Sequence, residues 1–348
     1  MLALTFQGLE QVGCETLADP RIESPGDAIV AVRLAGVCGS DLHVYHGRET
    51  GLDPGTAMGH EFVGEVIEIG RDVERLQKGS LVVGPFTTCC GRCEFCSAGL
   101  TARCSSGELF GWRQRGVGLH GAQAEMIRVP LADSTLVEVP QGISPENALL
   151  AGDVLSTGYF CAIQGGVGAG HSVAVVGCGP VGLMAVLAAK RLGADRVFAI
   201  DRLQERLAWA SRFGAEPLDL QHSSPAETVV EATRGLGVHV VLEAVGSPES
   251  SLLAMRLVRC GGTISAVGVH TESQFAFSPV EAYDKNLTYK IGRCPARRCM
   301  DTVLPWLADT TFDPAAIISH RLPLTEGPRA YDIFAKRLES CTKAVLTP

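Results

Sequence analysis

From about residue 155 to 292 short apolar runs alternate with stretches of helical character. Val173–Val176 after Ser172, Val197–Ile200 after Arg196, Val238–Leu242 and Thr263–Val267 each read as buried strands. Glu216–Leu220 and Leu287–Ile291 supply two more. The intervening segments Leu183–Lys190, Gln204–Phe213 (closed by Gly214), Pro225–Arg234 and Pro248–Val258 read as helices. Strand and helix in strict alternation predict one doubly wound parallel sheet. Residues 1 to about 153 are instead β-rich, with strands expected at 28–34, 62–69 and 124–129 and loops of Gly, Cys and His between them. The tail from about 293 predicts helices over 296–308, despite Pro305, and 326–338, then a strand at Lys343–Leu346. It is too short for a third domain and is expected to fold back onto the first. The fold class is therefore α/β, a β-rich domain joined to a doubly wound parallel-sheet domain.

One turn stands out in that pattern. Gly177-Cys178-Gly179-Pro180-Val181-Gly182 links the Ser172–Val176 strand to the Leu183–Lys190 helix. A strand, a G-x-G-x-x-G turn and a helix in succession suit a dinucleotide pyrophosphate. Gly177 permits the turn, Gly179 lets backbone approach the phosphates, and Gly182 lets helix and strand close up. The free N–H groups of the helix start face the anion. The next strand ends at Asp201, where a carboxylate meets an adenosine ribose and would repel a 2′-phosphate. This favours NAD over NADP. Arg202 beside it is a residue that could also accept a phosphate.

The remaining composition narrows the class. A chain of 348 residues suggests two domains, and its net charge of −8 without long runs of like charge argues against a nucleic-acid surface. The longest apolar stretch, Val181–Ala189, is far short of a bilayer span, and Met1–Phe6 carries no secretory pattern. No membrane association is expected. The 13 cysteines are odd in number and clustered, which suits metal-bound thiolates in a reducing cytoplasm better than disulfides.

Cys90, Cys93, Cys96 and Cys104 lie in a turn-prone loop with two C-x2-C steps, a pattern that closes a tetrahedral structural zinc site. Cys89 could substitute for Cys90, though only Cys90 keeps the C-x2-C step. A second set comprises Cys38, within Gly36-Val37-Cys38-Gly39-Ser40-Asp41-Leu42-His43, and Gly59-His60-Glu61. It offers a thiolate, an imidazole and a carboxylate; a catalytic zinc takes three protein ligands and one open position, and the third ligand is expected from elsewhere in the chain.

On these motifs, in this order, the chain resembles the zinc-dependent medium-chain alcohol dehydrogenases over essentially its whole length. Leu109-Phe110-Gly111-Trp112 and Gly152–Tyr159 are most similar to the formaldehyde-dehydrogenase-like bacterial branch. The resemblance implies a GroES-like catalytic domain, residues 1–154 completed by 293–348, and a Rossmann NAD-binding domain, 155–292. It maps the catalytic zinc onto Cys38, His60 and Asp153, the last being a cysteine in many members; Asp153 could also be a helix N-cap. Two zinc ions per chain are implied. Glu61 matches the carboxylate behind the metal and Asp41 the residue that orients His60. Ser40 matches the hydroxyl that takes the alcohol proton, relayed through the cofactor ribose to His43. Thr157, Val267 and Val269 are implied at the nicotinamide, and Val245 as a further cofactor-binding residue. Lys343 falls where a basic residue often meets the pyrophosphate, although a surface lysine fits as well. Phe86 and Trp112 are substrate-pocket positions that could equally be core.

The expected activity is hydride transfer between an alcohol and NAD. A polyol or sugar dehydrogenase, or a glutathione-independent formaldehyde dehydrogenase or dismutase, would share the apparatus. A small-molecule alcohol or aldehyde substrate is expected, and a homo-oligomer, a tetramer by analogy or else a dimer, with Leu287–Ile291 as a contact strand.

Overall fold

The computed structural model describes residues 1–348. The chain forms two compact units, Met1–Ser156 with Pro295–Pro348, and Thr157–Cys294.

In the first unit a seven-stranded sheet is built around Ala28–Val37. That strand is apolar on both faces and almost entirely buried, so it can only be central. Phe62–Ile69 pairs with it antiparallel, with register shifts at Ile29/Val30 and Val32/Leu34. Leu81–Gly84 and Val137–Glu138 continue the sheet on that side, and Met126–Val129 pairs with the first half of Ala28–Val37. On the other side the last strand, Lys343–Thr347, runs antiparallel to it, setting Ala344 opposite Val37 and Leu346 opposite Ala35. The tail thus returns to the first unit by supplying a sheet neighbour. Two apolar cores flank this sheet. One centres on Phe62 and Phe110, whose rings meet edge to face at 5.4 Å. The other gathers Leu4, Tyr45, Met58, Tyr331 and Phe334. The helix Ala296–Trp306 stops one residue after Pro305, whose missing N–H costs it a hydrogen bond in the last turn. The helix Gly327–Lys336 ends at Arg337 in the left-handed region, φ 56°.

The second unit is a six-stranded, wholly parallel sheet. Its spatial order is Glu216–Asp219, Arg196–Asp201, Ser172–Val176, Val238–Glu243, Val258–Ala266, Thr288–Ile291. Numbered along the chain this is 3-2-1-4-5-6, the Rossmann order, whose direction reverses between the first and fourth strands. Ligands of such sheets bind beyond the carboxyl ends of the strands at that reversal. The turn 177–182 leaves the first strand there. The helix Pro180–Arg191 that follows starts with Pro at its first position and ends with Lys190 and Arg191, both suited to the backbone groups and dipole of those ends.

No helix is long and apolar enough to cross a membrane.

Candidate active site

The candidate metal ligands are delivered by three chain reversals in the first unit. Cys38 follows the central strand Ala28–Val37, and His60-Glu61 precede Phe62–Ile69 beside it. Asp153 lies where the helix Pro145–Gly152 stops and Val154–Gly165 begins, with φ −141° and ψ −80°. One ligand atom from each of Cys38, His60, Glu61 and Asp153 falls within 4.8 Å of all the others, and all four residues are buried. Asp153 Oδ2 lies 3.3 Å from His60 Nε2 and 3.5 Å from Cys38 Sγ. With Zn–N and Zn–O near 2.0 Å and Zn–S near 2.3 Å, tetrahedral ligand atoms stand roughly 3.3 and 3.5 Å apart. The donor set therefore fits zinc in both chemistry and spacing.

The charges lead to the same fit. Burial, then Asp153 and Glu61, push the Cys38 thiol up to about 11. Burial pulls His60 down, but Asp41, Asp153 and Cys38 outweigh it and hold the imidazole well above its usual range. Glu61 has a cation already in Lys343, but the Cys38 thiol and the Asp153 carboxylate, so close together and out of water, suit a metal cation between them. Asp41 accepts from the Cys38 backbone N–H at 2.9 Å and faces His60 Nδ1 at 3.2 Å. That contact leaves Nε2 to point at the metal position. The Ser40 hydroxyl sits against the same atoms, 3.2 Å from His60 Nε2 and 3.3 Å from Cys38 Sγ. His43 follows within the short helix Asp41–Tyr45. Burial lowers its pKa, opposed by Glu49 and aided by Arg48 and His46, and its buried Nδ1 has no hydrogen-bond partner. Phe86 packs edge-on against the His60 ring at 6.3 Å. Trp112 instead packs on the core around Leu4, Met58 and Tyr331.

Lys343 requires a correction. It is fully buried, and its ammonium donates to both Glu61 oxygens, at 2.7 and 2.5 Å, and to the Val37 carbonyl at 3.0 Å. A lysine with no exposed surface, consumed by a buried carboxylate, is not available to a pyrophosphate. Burial pulls its pKa down, but Glu61 more than offsets this, so it remains a cation. Gly36 makes room for the pair, since a Cβ there would lie 1.8 Å from Glu61 Oε2.

The thiols of Cys90, Cys93, Cys96 and Cys104 form a second four-atom cluster within 4.8 Å. Cys93 Sγ stands 3.9 Å from Cys104 Sγ, where a tetrahedral zinc would separate sulfurs by roughly 3.8 Å. Backbone N–H groups of Cys96 and Ser105 bring Cys93 down to about 5, in the thiolate range. Cys89 is turned away: its buried thiol donates to the Ser134 carbonyl at 3.2 Å, and burial pushes it up to about 11.

In the second unit the turn glycines are sterically fixed. Gly177 has φ 86°, and a Cβ on Gly182 would sit 1.7 Å from the Gly177 carbonyl oxygen. Val245 lies against Gly177, and a Cβ on Gly246 would meet the Val269 carbonyl at 2.4 Å, so these loops converge beside the turn. Val267 joins them through its N–H, which donates to the Glu243 carbonyl at 2.9 Å. Buried Glu243 accepts from the Val245 and Gly246 N–H groups, both at 2.8 Å, and so holds one loop in place. Thr157 is buried at the start of this unit. The next residue, Gly158, packs tightly on Ala185 of the helix after the turn, where a Cβ would lie 2.5 Å from the Ala185 nitrogen. Asp201 accepts N–H bonds from Cys178, Arg202 and Leu203 at 2.8, 2.7 and 3.0 Å.

Sequence reading missed Arg206. Its Nη1 is 3.7 Å from Asp201 Oδ2 and would be 3.6 Å from a Cβ on Gly179, and its buried Nε has no hydrogen-bond partner. Arg202, by contrast, is exposed. The missed signal was an arginine in the first turn of the helix Gln204–Arg212 that follows the acidic residue.

Residues 24–141 match the alcohol dehydrogenase GroES-like domain family, and residues 180–309 the zinc-binding dehydrogenase family. The chain is 36% identical to zinc-type alcohol dehydrogenase B of Aspergillus flavus, across 96% of this chain and 78% of that protein. It belongs to the zinc-type alcohol dehydrogenases. A probable zinc-binding alcohol dehydrogenase of Mycobacterium tuberculosis is 39% identical over 95% of this chain and 84% of its own length. Among solved structures, an alcohol dehydrogenase from Thermus sp. ATN1 superposes with a TM-score of 0.94 at 43% identity, covering 100% of this chain and 99% of the other. The chain is thus a zinc-dependent alcohol oxidoreductase of the medium-chain type, with a GroES-like and a Rossmann-like domain.

Proposed function

We propose that the protein oxidises a small alcohol to an aldehyde or ketone, or reverses that reaction, with NAD rather than NADP as hydride carrier and two zinc ions per chain. The observation that carries the reading is the buried Cys38, His60, Asp153 and Glu61 cluster with the Ser40 hydroxyl against its ligand atoms. Zinc held there would act as a Lewis acid on the alcohol oxygen, and the nicotinamide would take the hydride. Ser40 would accept the proton of the substrate hydroxyl while giving up its own, and His43, held with a lowered pKa, would carry that released proton to solvent near neutral pH. Phe86 keeps water from one side of His60. The four-cysteine loop holds the second, structural zinc. Asp201, fixed by three backbone N–H bonds, supports the choice of NAD, because its charge opposes a 2′-phosphate. Arg206 beside it would face the adenosine end of the dinucleotide.

A homo-oligomer, tetramer or dimer, is part of this reading. Its support is the edge strand Thr288–Ile291, with an unpaired side and exposed neighbours Tyr283 and Ile291. The thiol-rich metal loop suits a reducing cytoplasm.

The deciding experiment is one panel of primary, secondary and polyhydroxy alcohols and formaldehyde, assayed with NAD and with NADP beside metal analysis. Expected are two zinc equivalents and a higher kcat/KM with NAD. A preference for NADP would overturn the cofactor assignment. Ser40→Ala should lower turnover by about 100- to 10,000-fold with zinc content unchanged. Near-normal turnover in that variant would overturn the role of Ser40.

A further inference from the structure

Behind the metal cluster a buried hydrogen-bond chain runs away from His60 into the C-terminal segment. His60 Nδ1 faces Asp41 Oδ1 at 3.2 Å, and Gln123 Nε2 donates to Asp41 Oδ2 at 3.3 Å and to the Gly36 carbonyl at 3.0 Å. The Tyr331 hydroxyl, on the helix Gly327–Lys336, donates to Gln123 Oε1 at 3.0 Å. Gln123 and Tyr331 have no exposed surface, and Asp41 is 6% exposed. The order of donors fixes the amide: Tyr331 can give a proton only to Oε1, so Nε2 must face the two acceptors. Gly59, immediately before His60, leaves space for this, since a Cβ there would lie 2.4 Å from Gln123 Cγ.

We infer that Gln123 and Tyr331 are positioning residues for the catalytic metal, locking the Asp41 carboxylate so that His60 keeps its Nε2 on the ion. A glutamine and a tyrosine far apart in sequence and buried to completion could have been replaced by apolar residues at less desolvation cost. What they supply is direction. Partners behind metal ligands typically change metal affinity by about 10- to 100-fold when removed. The inference rests on the zinc site proposed above and adds the residues that tune it.

The test follows zinc release from the intact holoprotein to a chromogenic chelator, with Cys38→Ser identifying the catalytic phase. The four-cysteine site of the same chain is the internal reference. Tyr331→Phe removes one hydroxyl and keeps the ring, and should release the catalytic zinc about 3- to 10-fold faster, with Gln123→Leu faster still. The four-cysteine phase and Tm of Tyr331→Phe should stay at wild-type values. Cobalt placed in the catalytic site should show shifted ligand-field bands in both variants. Tyr45→Phe, whose ring packs at a tilt against Tyr331 with centroids 5.4 Å apart but which lies outside the chain of bonds, should change neither readout. Unchanged catalytic release and cobalt bands in Tyr331→Phe would overturn the inference, as would equal acceleration of both phases or an equal effect of Tyr45→Phe. A wild-type protein that holds only the four-cysteine zinc would defeat the underlying site assignment instead, a result distinct from any of these.

Discussion

Lys343 and Glu61 form an ion pair with no exposed surface on either side chain, beside the candidate metal ligands Cys38, His60 and Asp153. The pair joins the last strand to the loop before Phe62, so the C-terminal segment fixes the carboxylate nearest the metal ligands. Removing one partner strands the other charge out of water, which costs about 3–5 kcal/mol. Lys343→Met should therefore lower the denaturation midpoint strongly, and Lys343→Met with Glu61→Gln should recover much of the loss. Urea unfolding of the three proteins checks this. A double variant no more stable than Lys343→Met would show that the pair is not the source of the effect.

Gly182 is set by a single contact. Because a Cβ there would come within 1.7 Å of the Gly177 carbonyl oxygen, Gly182→Ala must displace the helix Pro180–Arg191 from the strand before it. Overpacking of this kind costs roughly 1–3 kcal/mol. The same shift moves the N–H groups that would face the pyrophosphate. NADH titration by fluorescence should show at least about 10-fold weaker binding, equivalent to about 1.4 kcal/mol, with both metal sites still filled.

How far these features could be read beforehand depended on whether their cause was local. The parallel strands were legible because burial on both faces demands unbroken apolar runs, and the four-cysteine cluster because its thiols are closely spaced along the chain. The strand Val258–Ala266 begins before the expected start at Thr263, but its register against Val238–Glu243 breaks between Val258 and Thr263, where Gly261 takes φ 68°. Lys343 was misassigned because the cause of its placement is not local. Only the sheet order, which sets Lys343–Thr347 beside Ala28–Val37, brings it to Glu61, and no spacing along the chain encodes that. Gln123 and Tyr331 belong to no motif, since their role lies in a bond between segments 208 residues apart.

The choice between Cys89 and Cys90 can be tested directly. Cys89 gives its proton to the Ser134 carbonyl, whereas Cys90 Sγ accepts from the Cys93 N–H at 3.3 Å within the cluster. Cys89→Ser should keep two zinc equivalents by elemental analysis. Cys90→Ser should lose the structural one and with it the folding energy it contributes to the loop. Equal zinc loss in both would place Cys89 among the ligands.

At the opposite end of the parallel sheet His171 and His239 stack face to face, with ring centroids 5.0 Å apart and planes within 3°. His239 Nδ1 accepts the Ser172 backbone N–H at 3.1 Å, which requires that nitrogen to be unprotonated. Burial, Arg259 and His171 lower its pKa, and Asp195 opposes them. A base with a lowered folded-state pKa binds fewer protons than the unfolded chain, so stability rises with pH across that range. The contribution is complete above the unfolded value of about 6.5 and is lost as pH falls through the lower folded value. His239→Asn, whose side-chain oxygen accepts without titrating, should therefore flatten the dependence of Tm on pH between about 7 and 5. Parallel Tm profiles for the two proteins over that interval would show that His239 does not titrate against folding.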